Sequence, residues 1–420
     1  MSYRALATRP LLTLAAVTVA ARLPVAMAPL AVVLLVRERP GGYSVGAALA
    51  AVYVIGEVVG ASVLGPRLKA RRARPALAVG LGMGALAFAG LGVCAQAHPV
   101  VLGVLAAVAG AAPGVVPGGL RALLTSLVEE AAVAKAFSAD AILSYAVWAA
   151  SPALATWLAL GIDPVVPMFL AAVLMAATVA GLWGLPAGWS ADEADRRGVS
   201  MARTLASAWP LYVTGAAGLS LLALAELVLP ALLEQRGMAV GWAGPLLAAY
   251  SLAAAIGAYT YGLRTWPGSP ERQSLVLLVA VALVVGASAV VPVLGWIGAG
   301  LVLAGLLQSG VQIARSLSLR NALPPSAFAA GYSMMYAAVG AGYAASAVLA
   351  GAVQSVAAPS TAILAGAGLC LVLTAVAAVG ERRRRSGGAG ARVGAEGSGV
   401  GEVRAEGAAV DRGRDAECGL

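Results

Sequence analysis

Twelve stretches of this chain run apolar for about 20 residues or more, the length on which an α-helix crosses the hydrocarbon core of a bilayer. They lie at 11–36, 45–64, 76–97, 100–128, 136–160, 165–185, 205–233, 242–263, 275–293, 294–319, 328–353 and 360–379. In lipid, backbone N–H and C=O groups must be satisfied internally, so each run is expected as a helix. The chain is only 11% charged, with a mean hydropathy of +0.88, whereas a soluble domain carries roughly 25% charged residues. Too little polar material is present to cover a soluble surface. The first run follows Arg4 and Arg9 but is longer than a signal-peptide core, so it reads as an uncleaved first helix. The faintest division falls between the ninth and tenth runs, where Pro292 and Gly295 mark a turn.

A repeat divides the twelve into two sets. Arg39, Tyr53, Gly60, Gly65 and Arg67 match Arg236, Tyr250, Gly257, Gly262 and Arg264, each pair 197 positions apart. Leu49 and Leu246 keep that spacing, as do Ala51 and Ala248. Phe137 and Tyr145 match Phe328 and Tyr336 at an offset of 191. Two copies of one long unit predict a duplicated fold. The expected division is 1–185 for a first six-helix bundle, 186–204 for a polar linker, 205–380 for a second bundle and 381–420 for a disordered tail. The linker holds Asp192, Glu193, Asp195, Arg196 and Arg197.

The basic residues set an orientation. With the N-terminus inside, the N-terminal stub and the even-numbered loops carry about 14 Lys and Arg, and the odd-numbered loops only Arg37, Arg39 and Arg236. Both termini are therefore expected in the cytoplasm, in a multi-pass protein of the cell membrane. The net charge of +9 does not read as a nucleic-acid patch, because no basic run is interleaved with aromatics. It reads as topology signals and contacts with anionic headgroups. Cys94, Cys370 and Cys418 are too few and scattered for a disulfide framework.

Ionisable groups inside the runs are the chemical candidates, since each costs about 2.5–3.5 kcal/mol to place at the bilayer centre. Glu57, Glu226 and Arg22 are candidates for proton coupling, because a carboxyl away from water more readily holds its proton. Arg121 and Asp140 are candidates for a structural ion pair. Arg22 and Glu57 fall within about 5 Å in depth, so a pair between them is also feasible. One proton crossing about 100 mV yields roughly 2.3 kcal/mol, enough for a gradient of about 50-fold in a neutral solute. Enzymatic readings are poorly supplied: His98 is the single histidine, and the chain has no P-loop. Gly80-Leu81-Gly82 lies inside an apolar run with no strand before it, so a dinucleotide reading fails. Gly56, Gly60, Gly110, Gly114 and Gly118, spaced by fours, read as close helix packing.

Twelve runs in two halves, a central linker and the stretch Gly65-Pro66-Arg67-Leu68-Lys69-Ala70-Arg71-Arg72-Ala73-Arg74 resemble the major facilitator superfamily, in particular its bacterial drug or metabolite exporters. The resemblance covers about residues 10–380. It implies an all-α integral membrane fold of two pseudo-symmetric six-helix bundles, with substrate held between them near the midplane. Gly65, Arg67, Lys69, Arg71 and Arg72 would then form the cytoplasmic gate loop, which here lacks the family's acidic residue and second glycine. Arg121 stands where the family often carries an embedded Arg. Ser151-Pro152-Ala153-Leu154-Ala155-Thr156 resembles the antiporter motif with small residues replacing Gly, which implies export. Tyr145, Trp148, Gln308, Gln312, Tyr332 and Tyr336 become substrate-cavity candidates, while Arg315 reads as snorkelling. The implied function is a secondary transporter of a small organic solute, coupled to protons, working as a monomer in the bilayer, without cofactor, metal or nucleic acid. A uniporter or importer of a sugar or metabolite, and a transport-dead sensor on the same fold, are the alternatives.

Overall fold

The computed structural model describes residues 7–39, 42–68, 73–185 and 200–384. It contains twelve helices long and apolar enough to span a membrane. They are α1 (Arg9–Val36), α2 (Ser44–Arg67), α3 (Ala73–Val93), α4 (Pro99–Ser126), α5 (Glu130–Gly161), α6 (Val166–Trp183), α7 (Trp209–Gln235), α8 (Val240–Leu263), α9 (Pro270–Val290), α10 (Leu294–Ala322), α11 (Pro325–Gln354) and α12 (Pro359–Arg384). Several starts carry a proline in the first turn, where the missing N–H is no loss. His98 caps α4, its Nδ1 accepting from the Val100 N–H at 3.3 Å. The sole histidine is thus a helix cap.

The boundaries differ from the sequence reading in three informative places. A short helix, Met201–Ser207, precedes α7, so part of the expected linker is helical. α12 runs on to Arg384, and Glu381, expected in the tail, is buried. α4 is broken by a tight turn at Ala112–Val115, where Pro113 and Pro117 remove two helical donors. The break turns the segment Val116–Ser126 towards α11, and that segment carries Gly118 and Arg121. The linker residues Asp192, Glu193, Asp195, Arg196 and Arg197, and the tail from 385, lie outside the described residues.

The repeat has a structural meaning. α2 packs on α4, and α8 packs on α10. A side chain at Gly60 would run into the Ala111 backbone, and one at Gly257 into the Leu306 backbone. Gly110 meets the carbonyl of Tyr53 in the same way that Gly305 meets that of Tyr250. Small residues let backbones approach where lipid supplies no hydrophobic driving force between helices. Arg39 donates to the carbonyls of Ala95 and Ala97 just past α3, while Arg236 donates to Ala289 and Val290 at the end of α9. Each arginine so ties the C-terminal end of the third helix of its half, satisfying carbonyls that a helix end leaves free.

Three apolar clusters fill the interior. One draws on α1 to α6 and one on α7 to α12. The third joins the halves, with Val133 and Phe137 from α5, Tyr261 from α8, Leu319 from α10 and Tyr332 and Met335 from α11. All of these lie towards one end of the bundle, the end of the basic loops, called here the basic end.

Candidate functional site

Clear of the first and last turns of their α-helices, three arginines and three carboxyls lie within the spans: Arg22, Arg121, Arg315, Glu57, Asp140 and Glu226. Asp140 on α5 holds two of the arginines. Its Oδ1 lies 2.7 Å from Arg22 Nη1, and its Oδ2 lies 2.6 Å from Arg121 Nη2. Arg121 Nε donates to the same Oδ2 at 3.2 Å, and Arg22 Nη1 donates to Ser144 Oγ at 2.7 Å. The triad carries a net charge of +1 and floors a cavity of about 240 Å³. The walls of that cavity include Leu11, Leu14, Leu120 and Leu143. Arg22 therefore turns to Asp140 rather than to Glu57. Depth along the membrane allowed either partner, but the face of α1 that bears Arg22 looks towards α5.

Glu57 faces the other half. Tyr336 on α11 donates its hydroxyl hydrogen to Glu57 Oε1 at 2.6 Å, joining α2 to α11 across the seam. Beneath it, towards the basic end, Ser333 is buried against Gly65 and Gly118. Tyr332 packs edge-on to Phe137 at 6.1 Å, and the Arg121 guanidinium sits 5.9 Å from the Tyr332 ring centre. Phe137 and Phe328, matched in sequence, both pack on Tyr332. Ser138 donates to the Ala258 carbonyl, and Arg320 lies 3.7 Å from Glu130 at the surface. These contacts join the two halves at the basic end.

Glu226 on α7 makes no hydrogen bond or ion pair among the described residues. Gln308 is buried and donates to the Gly218 carbonyl at 3.0 Å, while Gln312 is only partly buried. Trp148 is 54% exposed and is not brought to this cluster. Arg315 departs from the sequence reading. It does not snorkel but is 6% exposed, with Nη1 donating to the Gly215 carbonyl at 3.4 Å. Glycines 215 and 218 on α7 leave room for it, and the spacing of those two small residues was the signal available in sequence. Of the gate-loop residues, Gly65 is buried in the seam and Arg67 donates back to Val63 at 2.5 Å. Lys69, Arg71 and Arg72 lie outside the described residues. No group of His, Cys, Asp and Glu suited to a metal occurs among the described residues.

This arrangement, two six-helix sets sharing a seam at one end, is the fold of the major facilitator superfamily. The human organic anion transporter MFSD10 superposes with a TM-score of 0.69 at 15% identity, over 88% of this chain and 99% of that one. The transporter FucP in its outward conformation gives 0.68 at 14% identity, over 90% and 98%. The proton:xylose symporter XylE, bound to a bromodeoxyglucose, gives 0.67 at 10% identity, over 86% and 94%. No family model and no curated protein sequence matches the chain.

Proposed function

We propose that this chain is a secondary transporter of a small organic solute, driven by protons and working by alternating access between its two halves. The observation that carries this reading is the Glu57–Tyr336 hydrogen bond, which places a membrane-embedded carboxyl on the seam that must part. A carboxylate accepts that bond more strongly than a neutral acid does, so proton uptake at Glu57 weakens the link between the halves. Glu226, without a cation partner, is the second proton carrier in this reading. In this reading the basic end faces the cytoplasm, and the halves are joined there. The cargoes named for two of the superposed transporters, an organic anion and xylose, differ, so the cargo of this chain must be argued from its own side chains.

Export is the leading direction and rests on the antiporter-like stretch at Ser151 to Thr156 in α5. One observation favours proton-coupled import instead. Arg22, Arg121, Arg315, Glu57, Asp140 and Glu226 sum to zero when all are ionised and to +2 when Glu57 and Glu226 are protonated, so bound protons would favour an anion moving in the same direction.

The chain is expected to lower the accumulation of at least one compound in a bacterial host stripped of its own exporters, or to raise it if the direction is inward. Glu226→Gln and Glu57→Gln should each abolish the response to an imposed pH gradient in proteoliposomes while leaving protein in the membrane. Proton-driven flux at wild-type rate in both variants would remove these carboxyls from the mechanism. Tyr336→Phe should retain coupling but shift its pH dependence, because it deletes one bond that the ionised Glu57 receives. An unmoved pH profile in Tyr336→Phe would show that the seam bond is energetically idle.

A further inference from the structure

Of Arg22, Arg121 and Arg315, only Arg315 has no carboxylate partner among the described residues. Arg22 and Arg121 share Asp140, and Glu57 is engaged by Tyr336. Arg315 has a single weak acceptor, the Gly215 carbonyl, and its Nε is buried without a hydrogen-bond partner among the described residues. An uncompensated cation held away from water is costly, and proteins keep such groups for ligands.

Its surroundings point to the ligand. Arg121, in the opposite half, lies over the Tyr332 ring at 5.9 Å, and the Tyr332 hydroxyl donates at 3.1 Å to the carbonyl of Ser316, the residue after Arg315. Arg121 belongs to the triad of net charge +1, so the positive potential on that side is not cancelled by Asp140. Tyr145 on α5 packs against the apolar cluster that holds Ile313 and Ala314, beside Arg315, and its hydroxyl is also buried without a partner among the described residues. Two donors from opposite halves are therefore unspent, and two guanidiniums approach the same seam. A single group answers both conditions: an anion that accepts hydrogen bonds.

We infer that the cargo of this transporter carries a negatively charged group, a carboxylate, sulfonate or phosphate, and that this group binds between Arg315 and Arg121 with Tyr145 as a further donor. The inference rests on the transport reading above and names the class of solute. Planar guanidinium donors suit such oxyanions, which can take two parallel hydrogen bonds from one side chain. Because the donors come from both halves, the anion draws the halves together and belongs to the transport path rather than to one bundle.

The test is thermal unfolding of the purified full chain in neutral detergent, with benzoate and benzenesulfonate against the uncharged benzamide and benzenesulfonamide at matched ionic strength. The acids are expected to raise the melting temperature and the amides are not. Arg315→Gln should lower the apparent affinity for the acids at least tenfold, and Tyr145→Phe by a few-fold. Without any added anion, Arg315→Gln should melt at or above the wild type, because it removes an uncompensated charge. A purely structural role for Arg315 would give the opposite sign. Equal effects of acids and amides, or acid stabilisation retained in Arg315→Gln, would overturn the inference. So would stabilisation by chloride alone or by phosphatidylglycerol alone, which would assign the site to an inorganic ion or a lipid headgroup. The measurement uses no gradient, so loss of anion binding leaves proton-driven flux standing, and loss of flux with anion binding intact refutes transport instead.

Discussion

Asp140→Asn should lower the melting temperature of the purified protein by on the order of 10 °C and reduce its yield in the membrane. The two carboxylate oxygens are used separately, Oδ1 for Arg22 and Oδ2 for Arg121, at 2.7 and 2.6 Å. Removing their shared charge raises the triad from +1 to +2 in a site where all three side chains are at most 16% exposed. Breaking a buried pair by taking one partner costs about 3–5 kcal/mol, since the remaining charge stays out of water. Here one substitution strands two charges, so the upper end of that range is expected. Asp140→Glu keeps the charge and should lose far less. Adding Arg22→Gln to Asp140→Asn returns the net charge to +1 and should recover part of the loss. A melting temperature unchanged by Asp140→Asn would mean that the triad contributes nothing to stability.

Gly118→Leu should open the basic end and abolish transport. A methyl group at Gly118 would overlap the Ser333 hydroxyl and stand 2.5 Å from the Ser333 backbone nitrogen. That nitrogen belongs to a helix and cannot step aside as a flexible side chain would. Overpacking costs about 1–3 kcal/mol, which is roughly 5–150-fold in a two-state equilibrium, and a full Leu side chain adds to it. The strain exists only while the halves touch, so it is relieved by parting them. In a background lacking the native cysteines, Ala330→Cys, now buried at 2% exposure, should gain labelling by an impermeant maleimide by about tenfold or more. Gly82→Leu is the matching control, because nothing lies within 4 Å of that position. Equal labelling in the two backgrounds would show that Ser333 does not seat the closed state.

The fold was legible in sequence because the bilayer imposes a length on every segment and the duplication left matched residues. Tyr53 and Tyr250, Gly60 and Gly257, and Arg39 and Arg236 occupy equivalent places in the two halves. Less could be read of which helix face each embedded charge occupies. Counting rise placed Arg22 level with Glu57, but rise carries no azimuth, and α1 presents Arg22 to Asp140 and Ser144. Tyr336 was a candidate for substrate, yet its hydroxyl reaches Glu57 in the other half. Arg315 looked like a snorkelling side chain because it lies near a helix end. Its burial depends on Gly215 and Gly218, more than 90 residues earlier in the chain. Pro113 and Pro117 were visible from the start, and the break they impose in α4 is what delivers Arg121 to the seam.

The glycine contacts of α2 with α4 and of α8 with α10 have a mechanical consequence. Backbones that touch at Gly60, Gly110, Gly257 and Gly305 leave no slack for sliding inside either half. Arg39 and Arg236 pin the far ends of α3 and α9 in the same manner. Each half then behaves as a stiff lever. The halves still touch one turn beyond Tyr336, where Gly340 lies against Val58, so parting at Ser333 would pivot about that contact.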